Sequence, residues 1–253
     1  MKKILITLMA AVATTSAFGY TSLNVAGQTG LIATPTARIN GEGNGGTSVT
    51  GGYTYFNNGQ TFHVPQANIA LFDRWEIGGA YNSTEGTNRN DYLVHTKLRF
   101  SPWSGRGNSA LAIGGSYQSL NSSPSTTAGQ VYLAATYEAQ FFGMEADTSV
   151  VVGKTFGTGV RDGDIDFSMG FDLNLFPSVF NGYVRWLNEL SNYDFLYLNA
   201  PTAAIARGAF NTGIRIPILK HLSSMKFDLT IKMTDALDNE RGFGVGAVFG
   251  ARF

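Results

Sequence analysis

The 253-residue chain has no cysteine and balances 18 basic against 18 acidic residues, which excludes a disulfide-stapled fold and leaves no basic face for nucleic acid. Charged residues make up only 14 % of it, against about 25 % in ordinary soluble domains, while its 31 glycines and 13 % aromatics are abundant. With mean hydropathy at −0.02, this balance suits a wall with one apolar and one polar face.

Residues 1–19 read as a secretory signal peptide. Lys2 and Lys3 form the positive start, Ile4 to Ala13 the apolar stretch, and Ala17-Phe18-Gly19 a small-x-small cleavage site. An apolar run of about ten residues is short of the ~20 that a spanning helix needs, so cleavage before Tyr20 is expected. Removing Lys2 and Lys3 from the 18 basic residues leaves about −2 against the 18 acidic ones. Residues 20–46 do not alternate and are expected to form a non-barrel lead-in or plug segment. Within them Gly41 to Gly46 has the glycine spacing of a dinucleotide loop, but that motif needs a helix after it. A β-pattern follows instead, so a flexible loop is expected.

From residue 47 to residue 253 the chain breaks into segments of about ten residues with period-two alternation, separated by Gly, Asn, Ser, Asp or Pro clusters. Twelve strands are expected: Thr47–Phe56, Phe62–Leu71, Trp75–Asn82, Tyr92–Phe100, Ala110–Tyr117, Gln130–Phe142, Asp147–Phe156, Asp164–Phe176, Phe180–Glu189, Arg207–Ile218, Met225–Thr234 and a C-terminal strand through Phe243, Val245, Ala247, Phe249 and Ala251 to Phe253. The eighth shows the pattern most plainly, with Ile165, Phe167, Met169, Phe171, Leu173 and Leu175 on one face and Asp164, Asp166, Ser168, Asp172 and Asn174 on the other. This predicts an all-β fold, a transmembrane antiparallel up-and-down barrel of the outer-membrane type, with about 12 strands.

The connections agree with that topology. With both termini in the periplasm, the turns Phe72 to Arg74, Ser101 to Asn108, Gly143, Pro177 to Ser178 and Leu219 to Ser224 fall inside, while Ser83 to Asp91, Gln118 to Gly129, Gly157 to Gly163 and Leu190 to Ala206, longer on average, fall outside. Aromatics gather at the ends: Phe72, Trp75, Phe100, Trp103, Phe141, Phe142, Phe176, Phe180 and Phe253 at the periplasmic rim, and Tyr53, Tyr55, Phe62, Tyr81, Tyr92, Tyr117 and Phe156 at the outer one. Membrane barrels carry such girdles; a secreted β-sandwich would place its aromatics toward strand centres. The C-terminal strand, with Phe249 and Phe253, has the form of an assembly signal for the barrel-assembly machinery.

Parity identifies the lumen-facing charges. His95, Lys97, Arg99, Arg185, Arg215, Lys226, Lys232 and Arg252 stand against Glu76, Glu138, Asp164, Asp166, Asp172, Asp228 and Glu189. If they pair they plug a narrow lumen; if they segregate they make a transverse field that selects solutes. His63, His95 and His221 are isolated in sequence and show no nucleophile, base and orienting acid. Asp162, Asp164 and Asp166 could ligate Ca²⁺, but alternation spreads them along a lumen row. No catalytic, metal or cofactor site is expected, and no cofactor.

Gly30 to Arg38 reads GLIATPTAR, and this Gly-Leu-Ile-x-Thr-Pro-(Ser/Thr)-Ala segment, with Gly30, Leu31, Thr34 and Pro35 at its fixed positions, resembles the start of the YjbH family of outer-membrane proteins. The resemblance implies a β-barrel associated with exopolysaccharide production or secretion, with no catalytic residue to transfer. The expected function is a passive channel or a component of exopolysaccharide secretion in the outer membrane, not an enzyme. The alternatives are a structural or adhesive surface protein using its outer loops and, third, a lipid-modifying enzyme. Expected partners are outer-membrane lipid, the barrel-assembly machinery, and polysaccharide or periplasmic secretion components.

Overall fold

The computed structural model of the chain describes residues 21–43, 46–87, 90–102, 107–121, 126–157, 165–191, 208–222, 224–237 and 241–253. Two short strands, β1 (Ser22–Leu23) and β2 (Thr29–Gly30), pair with each other. The other twelve are β3 (Ser48–Asn57), β4 (Thr61–Leu71), β5 (Trp75–Thr84), β6 (Asn90–Ser101), β7 (Ser109–Leu120), β8 (Thr126–Phe141), β9 (Met144–Gly157), β10 (Asp166–Asn174), β11 (Arg185–Ser191), β12 (Ala209–Pro217), β13 (Met225–Thr234) and β14 (Gly242–Arg252). Each is antiparallel to the next, and β14 returns to β3 from Phe243 opposite Asn57 down to Arg252 opposite Ser48, closing the barrel. Closure leaves no strand edge unpaired, the condition for spanning a bilayer with strands.

Along β6 every second residue is buried and every other exposed, with Tyr92, Val94, Leu98 and Phe100 outside and Leu93, His95, Lys97 and Arg99 inside. Lipid accepts the first set; the second fills the lumen. Tight turns follow from residues at positive φ. Phe72 and Asp73, both at φ 55, and Phe142 with Gly143, at 50 and 74, adopt the two successive left-handed conformations that match hairpin twist. These turns lie at the end of the barrel shared by the start of β3 and the chain terminus, which is therefore the periplasmic end.

Strands run further toward the outer side than the sequence pattern indicated, β5 to Thr84, β6 from Asn90, β7 to Leu120 and β8 from Thr126. The ninth expected strand is corrected at its start. Residues 177–180 form the short helix α1 (Pro177–Phe180), Asn181 and Gly182 follow at φ 51 and 71, and pairing begins only at Arg185. Proline has no N–H for a ladder, and two left-handed residues cannot continue a strand. Phe62 is also corrected: its side chain is buried in the lumen against Phe56, with ring centroids 6.5 Å apart, instead of joining the outer girdle. Trp103 and the larger part of the expected outer loops lie outside the described residues.

Candidate functional site

The lumen is filled by residues 21–43. Nearly all of them are buried, and they are held by wall side chains from around the barrel. The segment first folds on itself. The Asn24 carboxamide oxygen accepts the N–H groups of Ala26 (2.9 Å) and Gln28 (3.0 Å), its nitrogen donates to the Ala33 carbonyl at 2.8 Å, and Leu31 N–H donates to the Thr34 carbonyl at 2.9 Å. Gly27 sits at φ +80, and a Cβ there would lie 2.5 Å from the Gly79 carbonyl oxygen of β5, so only glycine allows this approach.

The wall supplies the acceptors and donors that the segment lacks. Glu189 of β11 accepts the amides of Ile32 (3.1 Å), Ala33 (2.8 Å) and Thr34 (3.0 Å), and also the Asn211 carboxamide at 2.7 Å. Glu76 of β5 accepts the Thr29 amide at 2.8 Å and the Thr29 hydroxyl, and pairs with Lys97 at 3.3 Å. Lys97 in turn donates to the Thr29 carbonyl at 3.2 Å. Arg215 donates to the Gly30 carbonyl at 3.0 Å while it and Arg185 share Asp172, at 2.8 and 2.5 Å. Gln66 and Asn68 of β4 donate to the Val25 and Gly27 carbonyls at 3.0 and 3.1 Å.

Both ends of the segment lie at the periplasmic mouth. Lys226, near the start of β13, donates to the Thr21 carbonyl and pairs with Asp228 at 3.3 Å. Ser48, the first residue of β3, donates to the Asn40 carbonyl at 2.7 Å. Between these anchors a second charge group closes the mouth. Arg38 reaches Asp147 (3.1 Å), Glu138 (3.5 Å) and Glu42 (3.5 Å), and Glu42 pairs with Arg99 at 2.6 Å. In the other direction Ala26 packs among Phe56, Phe62, Val64, Ala80 and Leu93, toward the outer end. The segment is therefore a plug that enters and leaves through one mouth.

Lumen charges thus pair across the barrel and with the plug instead of segregating. Of the residues expected at the lumen, His95, Lys97, Arg99, Asp166, Asp172, Arg185, Arg215, Lys226, Asp228 and Lys232 are buried there. Glu138 sits half-buried at the mouth, and Asp164 lies outside the described residues. Asp166 accepts from Gln130 (2.8 Å) and Thr155 (2.5 Å), as a wall group does. The motif residues Gly30, Leu31, Thr34 and Pro35 are at the docked part of the plug, with a β-bridge between Gly30 and Pro35 and the Thr34 hydroxyl on Ser168. The residues that sequence reasoning missed are in the plug itself: Asn24, Thr29, Arg38 and Glu42 show no periodicity that would mark them.

The histidines are dispersed. His63 lies on the outer face with Nδ1 2.5 Å from the Tyr53 hydroxyl, His95 in the lumen, and His221 in a periplasmic turn beside Tyr183. Among the described residues no three histidine or acidic side chains converge as a metal site would require.

No protein-family model matches the chain, and no curated protein matches it. Solved structures do. A KdgM porin, solved alone and in complex with disordered oligogalacturonate, superposes with TM-score 0.53 at 8 % identity over 81 % of this chain and 99 % of that one. The outer membrane protein Omp33 of Acinetobacter baumannii gives TM-score 0.46 at 11 % identity over 82 % of this chain and 98 % of that chain. At such identities the likeness is one of fold. A closed antiparallel barrel of twelve strands with apolar side chains on its outer face is of the type that spans the bacterial outer membrane, and that fold is what the chain shares with the KdgM porin.

Proposed function

We propose that the protein is an outer-membrane channel closed at rest by its own N-terminal plug, which passes an extended carbohydrate when the plug withdraws toward the periplasm. The observation that carries this reading is the anchoring of both plug ends at the periplasmic mouth, Thr21 on Lys226 and Asn40 on Ser48. A segment so attached leaves as a loop without threading the barrel. Support for the carbohydrate is of two kinds. The residues that resemble the YjbH family, Gly30 to Arg38, are among those held by the wall, and the KdgM porin of similar fold was solved with disordered oligogalacturonate. An exopolysaccharide is then the cargo class.

Deleting residues 21–43 and recording single channels in a planar bilayer tests the channel. Steady conductance in the deleted protein, against rare or no openings in the intact one, is expected. Silence in both overturns the reading. That result would favour the second one, a sealed structural barrel that displays its outer loops, for which the packed lumen is the supporting observation.

A further inference from the structure

We propose that Lys232 is an anion site of the lumen, taking the carboxylate of an acidic sugar. The proposal rests on the channel reading for its biological use. Its neighbours in the lumen each have a carboxylate within 4.0 Å: Lys97 has Glu76, Arg99 has Glu42, Arg185 and Arg215 share Asp172, and Lys226 has Asp228. Lys232 is as deeply buried as they are, yet among the described residues its ammonium meets only the Thr54 hydroxyl, at 3.2 Å. A buried cation with no ion-pair partner is costly, and in a membrane-spanning wall such a residue marks a path for solutes.

Its surroundings say what would neutralise it. Glu189, the acid within its electrostatic reach, is already occupied by three plug amides and by Asn211, and Arg215 adds to the positive field. The buried lumen-facing groups nearest it along β3 and β13 are hydroxyls, Thr54, Thr230 and Thr234, while the Asp235 carboxylate lies past the end of β13. One cation among hydroxyls matches one carboxylate among sugar hydroxyls.

Position fits a solute arriving beside the plug. Lys232 stands opposite Gly244, which stands opposite Phe56, a member of the apolar cluster that takes in Ala26. The site is therefore level with the outermost packing of the plug, on the side of β13 away from the periplasm. Glycine on β14 keeps this level open to side chains from its neighbours: a Cβ on Gly244 would lie 2.6 Å from the Phe56 ring and 3.2 Å from Lys232 Cγ.

The test is calorimetric titration of the intact, detergent-folded protein with oligogalacturonate, galacturonate monomer and a neutral glucose oligomer of equal length, repeated on Lys232→Gln and Lys232→Arg. The expected result is binding of the acidic oligomer, weakened about tenfold or more in Lys232→Gln and largely kept in Lys232→Arg, as loss of a charge-assisted hydrogen bond implies. The neutral oligomer should not bind. Monomer binding as tight as that of the oligomer supports the site and identifies a free acidic sugar as its ligand. Binding unchanged in Lys232→Gln, equal binding of the neutral oligomer, or no binding to the intact protein overturns the proposal. Heat-modifiability on gels confirms that each variant is folded. Because binding is read on the intact chain and conductance on the plug-deleted one, a silent channel with Lys232-dependent binding separates the two readings.

Discussion

Thr34 of the plug and Ser168 of β10 meet hydroxyl to hydroxyl in the lumen, 134 residues apart in sequence. Because the chain contains no cysteine, this contact can be turned into a lock. The Thr34→Cys, Ser168→Cys double variant is expected to cross-link on oxidation and to hold the plug in place. The fully unfolded cross-linked chain then migrates faster on a denaturing gel than the reduced one. Channel openings should be rare when oxidised and should increase on reduction; equal activity in both states would show that the plug is not the gate.

Glu189 is the group on which plug docking depends most. Its carboxylate accepts three successive amides and the Asn211 side chain, and hydrogen bonds to a charged group contribute about 1.5–3 kcal/mol each. In Glu189→Gln the side-chain nitrogen would confront an N–H, so at least one such bond is lost. An increase in open probability of about tenfold or more follows, since 1.4 kcal/mol is a factor of ten. Protease added from the periplasmic face should also cut within residues 21–43 sooner. A variant with wild-type opening and wild-type resistance would contradict this assignment.

The barrel was legible because a wall between lipid and lumen forces period two on every strand. Phe167, Met169 and Phe171 against Ser168, Gly170 and Asp172 mark a two-faced strand, and the aromatics at the strand ends then favour a membrane barrel over a β-sandwich. The absence of alternation marked residues 20–46 as a lead-in or plug, but the contacts that dock the plug were not legible, for the converse reason. Its backbone groups are satisfied by side chains from strands far along the chain, Ile32 by Glu189 at a separation of 157 residues, so no local pattern is needed or present. Phe62 shows the limit of parity as well as its strength. It has the position of a rim aromatic, but the apolar surface around Ala26 requires an apolar wall, and Phe56 and Phe62 provide it.

Glu76 and Lys97 form a buried pair 3.3 Å apart, and both also hold Thr29. Removing one partner leaves an uncompensated charge, which costs about 3–5 kcal/mol, whereas replacing both by apolar groups costs much less. Glu76→Gln and Lys97→Met are therefore expected to lower the unfolding free energy strongly as single changes. The double change should recover more than half of the summed loss. Urea unfolding in detergent micelles, followed by tryptophan fluorescence, measures all three. Simple additivity would mean that the two side chains act independently.

Phe253 separates assembly from stability. Its backbone closes the barrel, donating to the Thr47 carbonyl at 2.8 Å and accepting from the Thr47 amide at 3.2 Å, while its ring is 80 % exposed and packs on little. Replacing the ring leaves both backbone bonds intact, so Phe253→Ala should cost the finished barrel less than about 0.5 kcal/mol, the range of surface substitutions. If the terminal aromatic is instead read during insertion, the same change should reduce the amount of heat-modifiable protein in outer-membrane fractions. The discriminating result is fewer assembled barrels, each with an unchanged unfolding midpoint. A lowered midpoint at normal abundance would show that Phe253 acts through packing and not through recognition.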